Sequence, residues 1–329
     1  MNYNPPGTGY PPGYTPPVPY KKPIRFNANV VAGGIIIMTV LMYAVVFAIY
    51  AAMGAWGDAI PKTWTYIVDQ LTDIIVYVVG FGAGTAFILM VLRMPMKVAF
   101  PMRGVEPTTM ICSVMIAMGA VRIGQMITNG LYYTMNYVTG YSPVAPDFTA
   151  PRGTAANVLY FISIAILPAI LEEAMFRGVI LQSLRRYGDG FALIVSSVLF
   201  GVMHGNLVQA PYTMVVGFII GYFVLYTGSI WPGVLIHFVN NGSSVVMEWA
   251  TRNTTAQQDE MIYGILFVGE LVLGLLGVII LRMKKGSLFY VPKSKYPVAE
   301  KDKYTVFFSA AGMIIFGIIT LILFALNMA

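Results

Sequence analysis

Charged residues are scarce in this chain of 329 residues. Asp, Glu, Lys and Arg together make up 10% of it, whereas hydrophobic residues make up 57%. Soluble globular proteins usually carry about 25% charged residues. So few charges cannot cover a water-facing surface, and lipid must therefore cover much of the exterior. The composition predicts an all-α polytopic membrane protein built as one helical bundle.

Cysteine is almost absent as well. The single thiol, Cys112, lies in an apolar stretch, cannot form an intramolecular disulfide, and leaves no C-x-x-C zinc spacing. The net charge of +6 is modest, and no basic stripe follows a soluble face of the kind that binds nucleic acid. These absences exclude a disulfide scaffold, a zinc finger and a nucleic-acid partner.

The start of the chain has no long apolar run and is rich in Pro, Gly and Tyr. It reads Pro5-Pro6-Gly7-Thr8-Gly9-Tyr10-Pro11-Pro12-Gly13-Tyr14. Such a segment cannot bury a core and favours polyproline II. Its basic residues follow the polar run, unlike those of a signal peptide. We predict a disordered cytoplasmic tail over residues 1–28.

The remainder contains long apolar segments, each near the ~20 residues that a helix needs to cross a bilayer. They predict about nine transmembrane helices (eight to nine), of which the fifth and sixth are short. The candidate spans are 29–53, 65–92, 108–137, 156–182, 191–207, 210–227, 230–248, 261–282 and 305–327.

Basic residues fall in alternate loops between these spans. They precede span one and recur between spans two and three, after span four, and between spans eight and nine. The positive-inside rule then predicts a multi-pass protein with a cytoplasmic N-terminus. No internal repeat suggests the inverted halves of a transporter.

Span four carries three ionisable residues, and charges inside a membrane are costly enough to be functional hypotheses. Glu173 and Arg177 are four residues apart and can pair on one helix face. Glu172 is rotated about 100° away, which favours it as a reactive carboxylate. A purely structural ion-pair network remains an alternative. Pro168, one turn earlier, is expected to kink the helix and free a backbone carbonyl.

The chain has two histidines, and both lie in apolar helices: His204 in span five and His237 in span seven. His237 and Asn241 share a helix face, whereas Asn240 is expected to turn away and bond a neighbour. Counting residues from the basic loops places Glu172 and His237 in the cytoplasmic half of the membrane. This predicts a site that opens toward the cytoplasm.

Two further patterns concern packing. Gly80 and Gly84 are spaced to let helices approach closely. Arg122, buried in span three, is expected to pair with Glu270 or with one of the aspartates of span two, Asp69 or Asp73.

These polar residues support two chemical interpretations. In the first, Glu172 and His204 activate a water, while His237 and Asn241 donate hydrogen bonds to a carbonyl oxygen as it becomes tetrahedral. In the second, Glu172, His204 and His237 bind a divalent metal, most plausibly zinc. The H-E-x-x-H pattern of soluble zinc proteases is absent. Both interpretations remain open at this point.

Three segments resemble the motifs of the CPBP intramembrane proteases, which include CAAX prenyl endopeptidases and bacterial proteins once grouped as Abi. Glu172-Glu173-Ala174-Met175-Phe176-Arg177 resembles EExxxR, Phe200–His204 resembles FxxxH, and His237–Asn241 resembles HxxxN. The resemblance implies an intramembrane peptide hydrolase, possible metal dependence, and catalytic roles for Glu172, His204, His237 and Asn241. It implies supporting roles for Glu173 and Arg177.

The resemblance sets the expected domains and function. Residues 156–248 form the expected catalytic core, preceded by N-terminal helices over 29–155 and followed by C-terminal helices over 249–329. The expected setting is a bacterial plasma membrane, with lipid and a peptide or membrane-protein substrate as partners. Two other classes compete: a catalytically silent immunity or scaffold protein, and a proton-coupled transporter that uses the same polar residues as a relay.

Overall fold

The computed structural model describes residues 20–56, 62–140, 150–151, 153–206, 209–286, 288 and 294–326. These residues form helices and, within those ranges, no strand. The α-helices are α1 (Lys21–Trp56), α2 (Lys62–Leu92), α3 (Met96–Ala99), α4 (Pro107–Thr139), α5 (Thr154–Phe161), α6 (Leu167–Glu173), α7 (Leu181–Leu184), α8 (Asp189–Val202), α9 (Ala210–Thr227), α10 (Trp231–Ala250), α11 (Ala256–Lys285), α12 (Glu300–Phe308) and α13 (Ala311–Leu326). Two π-helical segments, Ile162–Ile166 and Ala174–Ile180, and the 3₁₀ turn Arg185–Tyr187 complete the run from α5 to α8.

The predicted all-α polytopic membrane fold is confirmed, with a different helix count. In the described ranges, 6 helices are long and apolar enough to cross a membrane, and α12 with α13, bent by 67°, could add a seventh. The predicted fifth span, 191–207, corresponds to α8, which has only 14 residues. The predicted seventh, 230–248, corresponds to α10, whose polar residues keep it out of the apolar set.

The first helix begins at Lys21, eight residues before the predicted span. Residues 21–28, which we assigned to the disordered tail, are therefore helical. They are held in place because Ile24 and Ala28 are buried and the Asn27 amide donates to the Ser183 carbonyl at 3.2 Å. Residues 1–19 of the predicted tail lie outside the described residues.

The bundle has two chemically distinct ends. At the end we call basic, Lys284 and Lys285 pair with Glu106 ahead of α4, and Lys303 donates to the Tyr187 carbonyl at 2.7 Å. At the opposite, base-poor end, Arg252 bonds Asn157 at 3.3 Å. The structure thus gathers the basic loops on one side, as the sequence pattern predicts.

Small residues let the long helices touch. A Cβ on Gly84 of α2 would lie 2.6 Å from the Gly34 carbonyl oxygen of α1, and one on Gly80 would lie 2.4 Å from the Met42 side chain. The predicted close approach at Gly80 and Gly84 is therefore confirmed. Between α4 and α11, Arg122 pairs with Glu270 at 2.6 Å, which decides between its predicted partners.

Helices α8 and α9 are too short to cross the whole bundle. With 14 and 18 residues they extend about 21 Å and 27 Å, whereas α1 with its 36 residues extends about 54 Å. Both helices adjoin the basic end. Helix α8 begins directly after the turn Arg185–Tyr187. Helix α9 ends two residues before Ser229, whose hydroxyl donates to the Arg103 carbonyl. The C-terminal end of α8 and the N-terminal end of α9 therefore lie inside the bundle, short of the base-poor end.

Candidate active site

One cavity of about 660 Å³ collects the predicted catalytic residues. Glu172 comes from α6, His204 from the turn after α8, and His237 and Asn241 from α10, and all four line it. Glu172 is only 3% exposed and His237 only 5%. The cavity exists because α8 and α9 stop short, leaving space between the longer helices that surround them.

Glu173 and Arg177 lie behind the cavity wall and are fully buried. Arg177 donates to the Glu173 carboxylate at 2.7 Å and to the Gly217 carbonyl at 3.2 Å, and its guanidinium lies 4.1 Å from the centre of the Phe200 ring. The predicted pair is therefore present. A buried charge needs such a partner, because removing one member leaves the other uncompensated in a low dielectric.

Glu173 has a second contact that the sequence did not reveal. Its Oε1 accepts a hydrogen bond from Nδ1 of His237 at 2.9 Å. Gly233, one turn before His237, makes this approach possible, since a Cβ there would lie 2.9 Å from the other Glu173 oxygen. A carboxylate on Nδ1 fixes the orientation of the ring and leaves Nε2 facing the cavity.

The Glu172 carboxylate meets that Nε2 without bonding it. Nε2 of His237 lies 3.9 Å from Oε2 of Glu172, beyond hydrogen-bond range. This oxygen is buried and has no hydrogen-bond partner among the described residues. Tyr77 of α2, which sequence reasoning missed, lies close enough to interact with the same carboxylate. The geometry leaves one carboxylate oxygen free to accept a hydrogen bond from a small molecule.

His204 is oriented by the backbone of its own helix. Its Nδ1 lies 2.8 Å from the Phe200 carbonyl oxygen. Because a carbonyl can only accept, Nδ1 carries the proton and Nε2 of the neutral ring is an acceptor. The four-residue spacing of FxxxH thus has a physical use beyond placing Phe200 under the Arg177 guanidinium.

Asn241 bonds the backbone carbonyl that Pro168 leaves without its α-helical partner. Proline has no N–H, so residue 168 cannot form the α-helical bond to the Ile164 carbonyl. The Asn241 side-chain amide donates to that carbonyl instead, at 2.9 Å. The predicted freed carbonyl is therefore present, within the π-helical segment Ile162–Ile166. Its hydrogen bond fixes the orientation of the Asn241 amide.

Asn240 corrects one prediction. It bonds its neighbour as expected, donating to the Asn241 side-chain oxygen at 3.0 Å, but it also lines the cavity rather than turning away. Its own oxygen accepts from the Tyr212 hydroxyl at 2.8 Å. Tyr212, Asn240 and Asn241 therefore form a chain of hydrogen bonds that orients the Asn241 amide.

The predicted zinc ligands do not form a metal site in this arrangement. Across the part of the chain that the structure describes, no three His, Cys, Asp or Glu side chains are placed to hold one ion together. Glu172, His204 and His237 share the cavity without being placed to contact one ion together.

The cavity leads away from the basic end. Its lining on α10 runs along one helix face from His237 through Asn241 and Ser244 to Glu248, and Glu248 accepts from the Ala150 N–H of the base-poor end at 3.5 Å. The cavity therefore extends toward the base-poor end. That the site opens toward the cytoplasm stays a prediction. Residue counting located the residues but could not show how far the cavity extends past the ends of α8 and α9.

Comparison with known proteins addresses this same region. Residues 154–243 match the family described as type II CAAX prenyl endopeptidase Rce1-like. This match agrees with the resemblance of the three motifs to the CPBP intramembrane proteases. The matched segment runs from α5 into α10 and contains the four predicted catalytic residues and the Glu173–Arg177 pair.

A curated relative supports the assignment. The chain is 32% identical over 115 residues to the "Putative membrane peptidase YdiL" of Bacillus subtilis (strain 168). The aligned part is 33% of this chain and 47% of the relative, so the chain spans about half the length of that relative. No solved structure matches the chain significantly.

Proposed function

We propose that this protein is an intramembrane endopeptidase that hydrolyses a peptide bond with a water activated by Glu172 and His204. The observation that carries the proposal is the buried, unpartnered Oε2 of Glu172, which lies 3.9 Å from Nε2 of His237 in a cavity that also holds His204 and Asn241. The match of this segment to a peptidase family supports it.

The chemistry begins with a water held between the Glu172 carboxylate and Nε2 of His204. Glu172 takes a proton from the water, and the water oxygen attacks the carbonyl carbon of the scissile bond. The carbon–nitrogen bond then breaks as Glu172 returns the proton to the departing amine. The immediate products are a carboxylic acid and a free amine, so atoms and charge balance.

The carbonyl oxygen becomes negatively charged in the tetrahedral intermediate, and two donors stabilise it in our proposal. Asn241 has a second amide hydrogen besides the one bonded to Ile164. His237, held through Nδ1 by the Glu173 carboxylate, donates from Nε2 when both ring nitrogens carry hydrogen. Fixed donors of this kind in a water-poor site are worth about 2.7–4 kcal/mol each in comparable enzymes.

The setting follows from the same proposal. We infer a multi-pass protein of a bacterial plasma membrane with a cytoplasmic N-terminus, because the basic loops collect at the end where α1 begins. The substrate is a peptide or membrane protein reached within the lipid environment. The zinc-dependent form of the reaction would require Glu172, His204 and His237 to move into a common ligand set.

The test compares wild type with Glu172→Ala and His204→Ala in the native membrane, using Glu260→Ala, an exposed residue of α11, as the control. Released peptides and truncated membrane proteins are identified by mass spectrometry. We expect products with wild type and Glu260→Ala and none with the other two. Identical profiles from four well-folded proteins would instead favour the immunity or scaffold interpretation.

A further inference from the structure

The cavity continues beyond the catalytic cluster and acquires a second carboxylate. On α10 the lining residues His237, Asn241, Ser244 and Glu248 share one face, so the cavity follows this helix to the base-poor end. Glu248 is half-buried there. The eleven-residue separation between His237 and Glu248 corresponds to about 16 Å along the helix.

Apart from its two histidines, the charged residues that line this cavity are acidic. Its acidic lining residues are Glu172 and Glu248, and no Lys or Arg lines it within the described ranges. Walls of a single charge sign and low dielectric raise the local concentration of opposite charges. The cavity therefore favours a substrate that carries positive charge.

The Glu248 carboxylate can accept further hydrogen bonds. Its one described hydrogen bond is the 3.5 Å contact from the Ala150 N–H. Arg252, one turn further along the chain, is not paired with it and donates to Ala150, Pro151 and Asn157 instead. Among the described residues Glu248 forms no ion pair, so its charge is available to a ligand.

We propose that Glu248 is a specificity-determining residue that binds a cationic side chain of the substrate. An extended peptide advances about 3.3 Å per residue, so 16 Å corresponds to about five residues. The basic residue would thus lie four to six positions from the cleaved bond, on the side of the substrate nearest the base-poor end. This inference rests on the proposed endopeptidase function and adds the substrate class.

The test uses the purified full-length protein and a pool of synthetic peptides of varied sequence, with cleavage sites identified by mass spectrometry. Wild type, Glu172→Ala, Glu248→Gln and Glu260→Gln are compared. Glu248→Gln keeps an oxygen for the Ala150 N–H and removes only the charge, whereas Glu260→Gln removes an exposed charge outside the cavity.

For wild type and Glu260→Gln we expect Lys or Arg to be enriched four to six residues from the cut. For Glu248→Gln we expect continued cleavage without that enrichment, and a fall of about 10-fold in kcat/KM for a Lys-containing peptide relative to its Gln counterpart.

The two possible failures are distinct. Cleavage that depends on Glu172 but shows no basic preference, or a preference that survives Glu248→Gln, would overturn the assignment of Glu248 and leave the endopeptidase standing. Absence of any cleavage that depends on Glu172 would contradict the proposed function and this inference with it.

Discussion

Two adjacent glutamates differ in surroundings because a helix turns about 100° per residue. Glu172 faces the cavity with one oxygen unpartnered, whereas Glu173 faces away from it and contacts Arg177 and His237. Glu172 is thus available for chemistry. Glu173 bonds the Arg177 guanidinium and the His237 ring, which would otherwise be buried without this partner.

This difference between Glu172 and Glu173 predicts that replacing each by uncharged Gln affects stability differently. Glu173→Gln leaves the Arg177 charge buried without a counter-ion, so we expect the free energy of unfolding to fall by about 3 kcal/mol or more. Glu172→Gln removes a charge that has no ion pair within 3.5 Å, so we expect a change within about 1 kcal/mol. Reversible unfolding in detergent micelles, followed by circular dichroism, measures both. Equal destabilisation by the two variants would contradict this difference.

At this scale the sequence predicted what local spacing controls. The Glu173–Arg177 pair and the carbonyl freed by Pro168 follow from the geometry of a single helix. The Glu173–His237 bond joins residues 64 positions apart. It depends on how α6 packs against α10 and on Gly233, so no local pattern announces it.

At the scale of helices, close contact between α1 and α2 fixes one wall of the cavity. Met38 and Met42 of α1 and Tyr77 and Phe81 of α2 all line it. The two helices approach closely because glycines occupy their shared surface. A change in their separation would therefore move residues that contact the catalytic cluster.

A pair of glycine substitutions on α2 tests this contact. A Cβ on Gly84 would lie 2.6 Å from the Gly34 carbonyl oxygen, a backbone atom that cannot swing aside, whereas a Cβ on Gly82 would meet nothing within 4 Å. We expect Gly84→Ala to destabilise the protein by about 1–3 kcal/mol. Gly82→Ala should be neutral or stabilising by up to about 1 kcal/mol, because alanine favours helix.

Thermal unfolding of the two variants in the same detergent gives the comparison. A stable Gly84→Ala protein would show that the helices can separate without loss. The opposite ranking of the two variants would contradict the packing described for this surface.

Helix boundaries were predictable only where hydropathy decides them. The apolar segments of α2, α4 and α11 were located within a few residues. The start of α1 was missed because Lys21, Lys22 and Arg25 look like solvated residues, although Ile24 and Ala28 between and beyond them are buried. The two π-helical segments flanking α6 have no sequence signature in the patterns used, yet such segments often occur at functional sites.

For the whole molecule, the lengths of α8 and α9 decide how far the cavity extends. Because these two helices stop inside the bundle, the cavity extends past them to the base-poor end, beside the end of α10. Hydropathy shows that a segment is apolar, but it does not show whether neighbouring helices extend beyond the end of that segment. The direction of the cavity therefore became visible only in three dimensions.

Orientation and opening can be tested together with single cysteines introduced after replacing Cys112 by alanine. Gln257→Cys lies at the base-poor end, Lys295→Cys at the basic end, and Ser244→Cys in the cavity. The positive-inside rule places the base-poor end outside the cell. We expect a membrane-impermeant maleimide to label positions 257 and 244 in intact cells, and position 295 only after the membrane is permeabilised.

Labelling of 244 together with 295 but not 257 would contradict the opening at the base-poor end. Labelling of 295 alone in intact cells, with 244 and 257 reacting only after permeabilisation, would invert the orientation and place the cavity mouth in the cytoplasm.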